Sequence, residues 1–282
     1  GLGGWLTAHR DFGGGVLPAR AGRPRAGRLL GTPLGLALRL QRGLLVGWCV
    51  GLAALGLLYG AVIPTIPDLV ESNPDIAAMV GASADAEEAL IDGFLRYIFL
   101  FMAVVSTAFV VTSVLRLRTE EEAGRAEMVL ATGVDRSSLL TASATVAVLG
   151  ALVLTVMMGL GIAVGYALGM GEWDRVAEHL GGQLAFLPGV LLVAACALAL
   201  VGLHPRWSLL AWGVVAFVAL HVMLGETLRL PDWVDSLSPF WHLPGIPVEP
   251  FSAAPAIVEL VLASVLAAVG LWGFRRRDLT TG

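Results

Sequence analysis

The chain contains no lysine. A Walker A loop needs a lysine on its phosphates and a Schiff-base enzyme needs one as nucleophile, so both chemistries are excluded from this chain. Cysteine is nearly absent as well. Cys49 and Cys196 each lie in an apolar run, where a thiol reads as a small buried side chain and not as half of a disulfide or a metal ligand. The five histidines include no pair at metal-ligand spacing. Charged residues make up 14% of the chain, against ~25% in a typical soluble domain. No catalytic triad, metal cluster or nucleotide loop is present, and nothing points to a nucleic-acid partner.

What the chain has instead is apolar length. Mean hydropathy is +0.81. Several windows exceed the ~18 apolar residues that a membrane span requires, so the expected fold is an all-α polytopic membrane protein in the lipid bilayer. Six spans are expected, at 43–63, 93–115, 138–171, 183–203, 208–224 and 254–274. Thr32-Pro33 supplies an N-cap and a proline at the first helical position, which opens an amphipathic elbow helix over 32–42. In the first span Gly43, Gly47 and Gly51 recur every four residues, as do Gly56 and Gly60; such ridges let helices approach closely. Residues 64–92, with seven carboxylates and no arginine, read as an external segment with one or two short surface helices. The uncharged stretch 138–171 is about 51 Å long as a helix, well beyond a ~30 Å hydrocarbon core. It reads as one long helix that projects from the bilayer. Pro188 is expected to kink the fourth span. Residues 225–253, with five prolines, read as short helices at the outer interface before the last span.

The amino-terminal region 1–31 reads differently. Residues 3–15, GGWLTAHRDFGGG, align without gaps to 270–282, GLWGFRRRDLTTG. On that match, 1–11 is the end of a preceding span, 12–31 a basic cytoplasmic linker, and 32–282 the six-span domain of a duplicated permease. The alternative is a basic tail on anionic lipid. Orientation follows from arginine. Of the 18 basic residues, only Arg96, Arg175 and Arg229 fall in segments assigned outside, against 15 inside. That bias places both ends in the cytoplasm of a cytoplasmic (inner) membrane.

One polar stretch carries a complete set of helix signals: 119–136, TEEEAGRAEMVLATGVDR. Thr119 reads as an N-cap with Glu122 three residues on, as in a capping box. Glu120, Glu121 and Glu122 fill a first turn, where the helix dipole favours acids. Gly133 suits the left-handed residue that ends a helix. Ala126, Val129 and Leu130 make an apolar face. The residues Glu120, Glu122, Gly124, Glu127, Leu130, Thr132, Val134 and Arg136 resemble the first cytoplasmic loop of type-2 ABC exporter permeases. The layout, with SPFWHLP at 238–244 and GFRRRDL at 273–279, is similar to the C-terminal half of actinobacterial permeases linked to polyketide-antibiotic export, of the tetronasin type.

The resemblance implies a permease without its own ATPase site. It implies an ABC ATP-binding subunit as partner, carrying ATP and Mg, and another permease half, upstream or separate. Glu120, Glu122, Gly124, Glu127, Leu130, Thr132 and Arg136 would form the coupling helix that docks on that subunit, and bulky amphiphilic or antibiotic-like compounds would be expelled. Rival readings are an ion-coupled secondary transporter and a non-transporting scaffold. Within the spans the one carboxylate is Glu259, which reads either as an intramembrane polar site or as a side chain reaching the outer headgroups. Arg96 is expected to snorkel to the interface, and Ser106, Thr107, Thr112 and Ser113 to bond their own helix backbone.

Overall fold

The computed structural model describes residues 31–72, 84–122 and 135–276. The expected preceding span, nearly all of the linker, and the segment from Gly124 to Thr132 lie outside these residues. Among the described residues the chain is helical with no strand, and six helices are long and apolar enough to cross a membrane.

The first helix, α1, runs Pro33–Val62. Thr32 caps it, its hydroxyl accepting from the Gly35 N–H at 3.1 Å. The elbow and the first span are therefore one helix. Leu38, Arg39, Leu40, Gln41 and Arg42 are all good helix formers, so nothing stops propagation before Pro64, which sits in a 3-10 turn at Ile63–Thr65. Helix α2, Ile66–Ser72, follows. Helix α3 spans Ala84–Glu122, about 58 Å at ~1.5 Å per residue. Its acid-rich beginning was expected in an external segment with one or two short surface helices; it runs into the span without a break, since alanine and glutamate favour helix and acids suit an N-terminus. At the other end Thr119 lies inside the last turns of α3 and does not cap a separate helix.

Helix α4, Arg136–Met170, is a single helix of 35 residues and ends on Gly171 at φ 78°, a conformation that glycine adopts without strain. A 3-10 turn and the short α5, Val176–Leu184, lead through two residues into α6, Leu187–Leu203. Pro188 stands in the first turn of α6, where no N–H is needed, so it begins the helix and does not kink it. Helix α7 is Leu210–Leu228, closed by Arg229 in the left-handed region. The short α8, Asp232–Asp235, and a 3-10 turn at Pro239–Trp241 precede α9, Ala253–Arg276.

Helices α3, α4 and α6 form the centre, and α1, α7 and α9 surround them. Phe99, Met102, Phe109, Leu154, Met158 and Val193 are among the core side chains. Two pairs of neighbours are parallel and joined through glycine. A Cβ placed on Gly56 would stand 2.8 Å from the Met158 carbonyl oxygen, and one on Gly60 2.8 Å from the Tyr166 nitrogen. Gly161 and Gly165 answer from α4, packing against the backbone of Ala53 and Leu57. In the second pair, α6 and α9, Gly202 meets Gly270, and a Cβ on Gly270 would stand 2.6 Å from the Leu198 carbonyl oxygen. Gly43, Gly47 and Gly51 have nothing within 4 Å. They lie about 140° around α1 from Gly56 and Gly60, since each residue turns the helix by about 100°.

Candidate functional site

The end of the bundle at Glu122 and Asp135 is where the residues expected from the resemblance to form a coupling helix fall. Glu120 sits in the last turn of α3, its carboxylate 3.9 Å from Arg116 one turn earlier. Glu122 is the final residue of α3 and Arg136 the first of α4. Asp135 caps α4, its carboxylate accepting from the Ser137 hydroxyl. Gly124, Glu127, Leu130 and Thr132 lie outside the described residues. The geometry therefore brings Glu120, Glu122 and Arg136 to one end of two long adjacent helices.

The opposite end carries a cap made of residues 229–252 and the short α5. Three contacts hold it. His221 Nε2 lies 3.0 Å from Asp235 Oδ1, joining α7 to α8. Arg96 reaches Glu249 at 3.5 Å, so it pairs with the cap and does not simply snorkel, and the Glu249 carboxylate also accepts from the Gly245 N–H. Phe240 and Leu243 are buried against α6, where a Cβ on Gly189 would stand 2.8 Å from the Phe240 ring. Beside them Arg175 donates to the Tyr166 hydroxyl at 3.1 Å and to Glu178 at 3.1 Å, while Tyr166 donates to Glu172 at 2.9 Å. Gln183 donates to the Phe99 carbonyl at 3.2 Å. The Arg96–Glu249, His221–Asp235 and Gln183–Phe99 contacts join separate elements, so spacing does not reveal them, whereas Arg175–Glu178 is a local i,i+3 pair.

Within the spans, Ser106, Thr107 and Thr112 bond their own helix as expected, to the carbonyls of Ala103, Val104 and Ala108. Ser113 does not. It donates across to Gln41 of α1 at 2.5 Å, and Gln41 is buried. Cys49 and Cys196 are free thiols. Glu259 lies in the second turn of α9 and is only 3% exposed. It faces the interior and does not reach for headgroups, and among the described residues neither carboxylate oxygen has a hydrogen-bond partner. Near it, a cavity of about 250 Å³ lies between α3, α4, α6 and α9, walled largely by alanine.

A six-helix bundle with a cavity at membrane depth defines a multi-pass membrane protein. Comparison with known proteins gives the family. A family model described as the multidrug efflux system permease Rv1217c, C-terminal domain, matches residues 30–275, and the chain belongs to that family. It is 36% identical over 279 residues to the multidrug efflux system permease protein Rv1217c of Mycobacterium tuberculosis. That match covers 97% of this chain and 50% of the relative, so the chain spans about half the length of the curated relative it matches.

Proposed function

We propose that this chain is the membrane-spanning permease part of an ATP-driven ABC exporter, with ATP and Mg bound and hydrolysed on a separate ATP-binding subunit. A second permease half completes the translocation path. The membrane is the cytoplasmic one, with both chain ends inside, and the cargo is bulky and amphiphilic, as in the tetronasin-type permeases that the sequence resembles. Membership of an efflux-permease family supports the transport role.

One observation carries the ABC reading. Residues 123–135 join α3 and α4, two neighbouring helices of 39 and 35 residues. Both far exceed the ~20 residues that a bilayer crossing takes. A polar connection between two overlong helices is where an external subunit can pull on the bundle. The order of its residues, acids before an apolar Ala126–Val129–Leu130 face, suits docking of a helix into a groove. The test is co-purification. The intact gene product should bring down an ATP-binding subunit, and Leu130→Asp should abolish the capture while the protein still inserts. Capture unchanged by Leu130→Asp overturns the coupling assignment.

A further inference from the structure

Glu259 and the cavity beside it are not used by anything described so far. The cavity is lined from four helices, and Ala147 of α4, Ala194 and Ala195 of α6, and Ala263, Ser264 and Ala267 of α9 supply much of its wall. Alanine explains the space, because three of the four helices, α4, α6 and α9, present one-carbon side chains there and cannot fill the gap between their axes. Val148 and Leu260 also line the cavity, and both are exposed, so they form an open rim. Ser264 is the polar side chain in the named wall, and its hydroxyl is bonded to the Leu260 carbonyl.

Glu259 stands in register with this space. It precedes Ala263 by four residues and Ala267 by eight, so the three share one row along α9. Gly270 lies against Leu198 and Gly202, and counting back along the parallel pair brings Glu259 level with 187–191 of α6. Leu191 is itself a wall residue. Glu259 is not itself a wall residue; it stands one turn before Ala263, just past the cap-end limit of the cavity, 3% exposed and, among the described residues, without a hydrogen-bond partner on either oxygen. A carboxyl buried with no bond from the protein is costly to charge and is stabilised by a cation brought to it. The apolar space one turn away has room for the body that would carry that cation.

We propose that Glu259 and the alanine-walled cavity form an intramembrane binding site for a cationic amphiphile. Its apolar portion lies between α4 and α9 and its positive group meets the Glu259 carboxyl. The volume suits one alkyl chain or one ring system, since whole drug-sized pockets run from ~300 to ~1,000 Å³. Entry is lateral, past Val148 and Leu260. As a substrate site it rests on the exporter reading; as a binding site it does not.

The experiment measures saturable binding of radiolabelled dodecyltrimethylammonium to the intact permease in phosphatidylcholine nanodiscs, with empty nanodiscs subtracted and no ATPase present. The neutral comparison is dodecyl glycerol ether. Glu259→Gln should weaken the cation by about tenfold or more and leave the neutral ether unchanged. Ala263→Phe, which fills the cavity, should weaken both. Leu260→Trp lies on the exposed rim, where folding is not at stake, and should also weaken both. The proposal is overturned by an absence of saturable cation binding, by equal cation affinity in Glu259→Gln, or by undiminished binding in the two wall variants. Because no ATPase is in the assay, its outcome is independent of the capture experiment that tests the exporter reading.

Discussion

Gly202 and Gly270 touch backbone to backbone, with no side chain between α6 and α9 at that point. Any Cβ on Gly202 would collide with the Gly270 carbonyl, and backbone cannot rotate away as a flexible side chain can. Gly202→Leu and Gly270→Leu are therefore expected to force the helices apart and to destabilise the chain by at least ~1–3 kcal/mol. Gly47→Leu, from the open stripe of α1, meets nothing within 4 Å and should leave stability unchanged. Thermal unfolding of the purified protein in detergent, followed by size-exclusion fluorescence, checks the contrast. Equal midpoints for Gly202→Leu and Gly47→Leu would contradict it.

The His221–Asp235 pair fastens the cap to α7, and both side chains are largely shielded from solvent. Asp235→Ala removes the partner of the buried Nε2 and should cost ~1–3 kcal/mol locally. The expected readout is faster alkylation of a cysteine placed at exposed Ser236, with the bundle itself still folded. The exposed Arg96–Glu249 pair is a useful control, because Glu249→Gln should change that rate little.

Orientation gives a separate prediction. In a background without Cys49 and Cys196, Ser236→Cys should react with a membrane-impermeant maleimide from outside sealed cells, and Ser137→Cys should not. External labelling of Ser137→Cys would invert the arrangement inferred from arginine.

Coupling through 119–136 predicts a graded series in ATP-driven efflux. Leu130→Asp should lose most, because it drives an unpaired charge into an apolar contact. Glu127→Arg should lose less, by reversing a rim charge. Glu121→Ala should be nearly silent, since its i,i+4 spacing to Arg125 offers at most a single ion pair, worth at most ~1 kcal/mol. Membrane insertion should be equal in all three, as read by membrane fractionation. The reverse order of loss would move the coupling contact off this apolar face.

The six crossings were legible because a bilayer imposes its thickness on the sequence as apolar length. The ends of the helices were less so. Residues 84–92 carry acids and read as part of an external segment with short surface helices, yet they are the first turns of α3, since hydropathy reports where the bilayer is and not where a helix stops. Likewise 33–42 belongs to α1, not to a separate elbow. The two glycine ridges of α1 have identical spacing, but only Gly56 and Gly60 find a partner, and that partner is set by Gly161 and Gly165 a hundred residues away. Of the candidate site, the importance of Glu259 was visible as a lone acid in an apolar run. Its burial and its neighbouring cavity were not, because that space comes from alanines scattered over α4, α6 and α9. The coupling assignment rests on the resemblance to a family loop, and of its residues only Glu120, Glu122 and Arg136 fall within the described residues.

The close approach of α6 and α9 also governs how the bundle can deform. Gly202, Gly270 and Gly273 pin the two rods together near the Leu203 and Arg276 ends, while the alanine walls leave slack further along, toward Glu259. A rod fixed near one end and loose toward the other behaves as a lever on a fulcrum. A small rotation at the glycine contact is magnified along α9 into a larger sideways excursion of the stretch around Leu260.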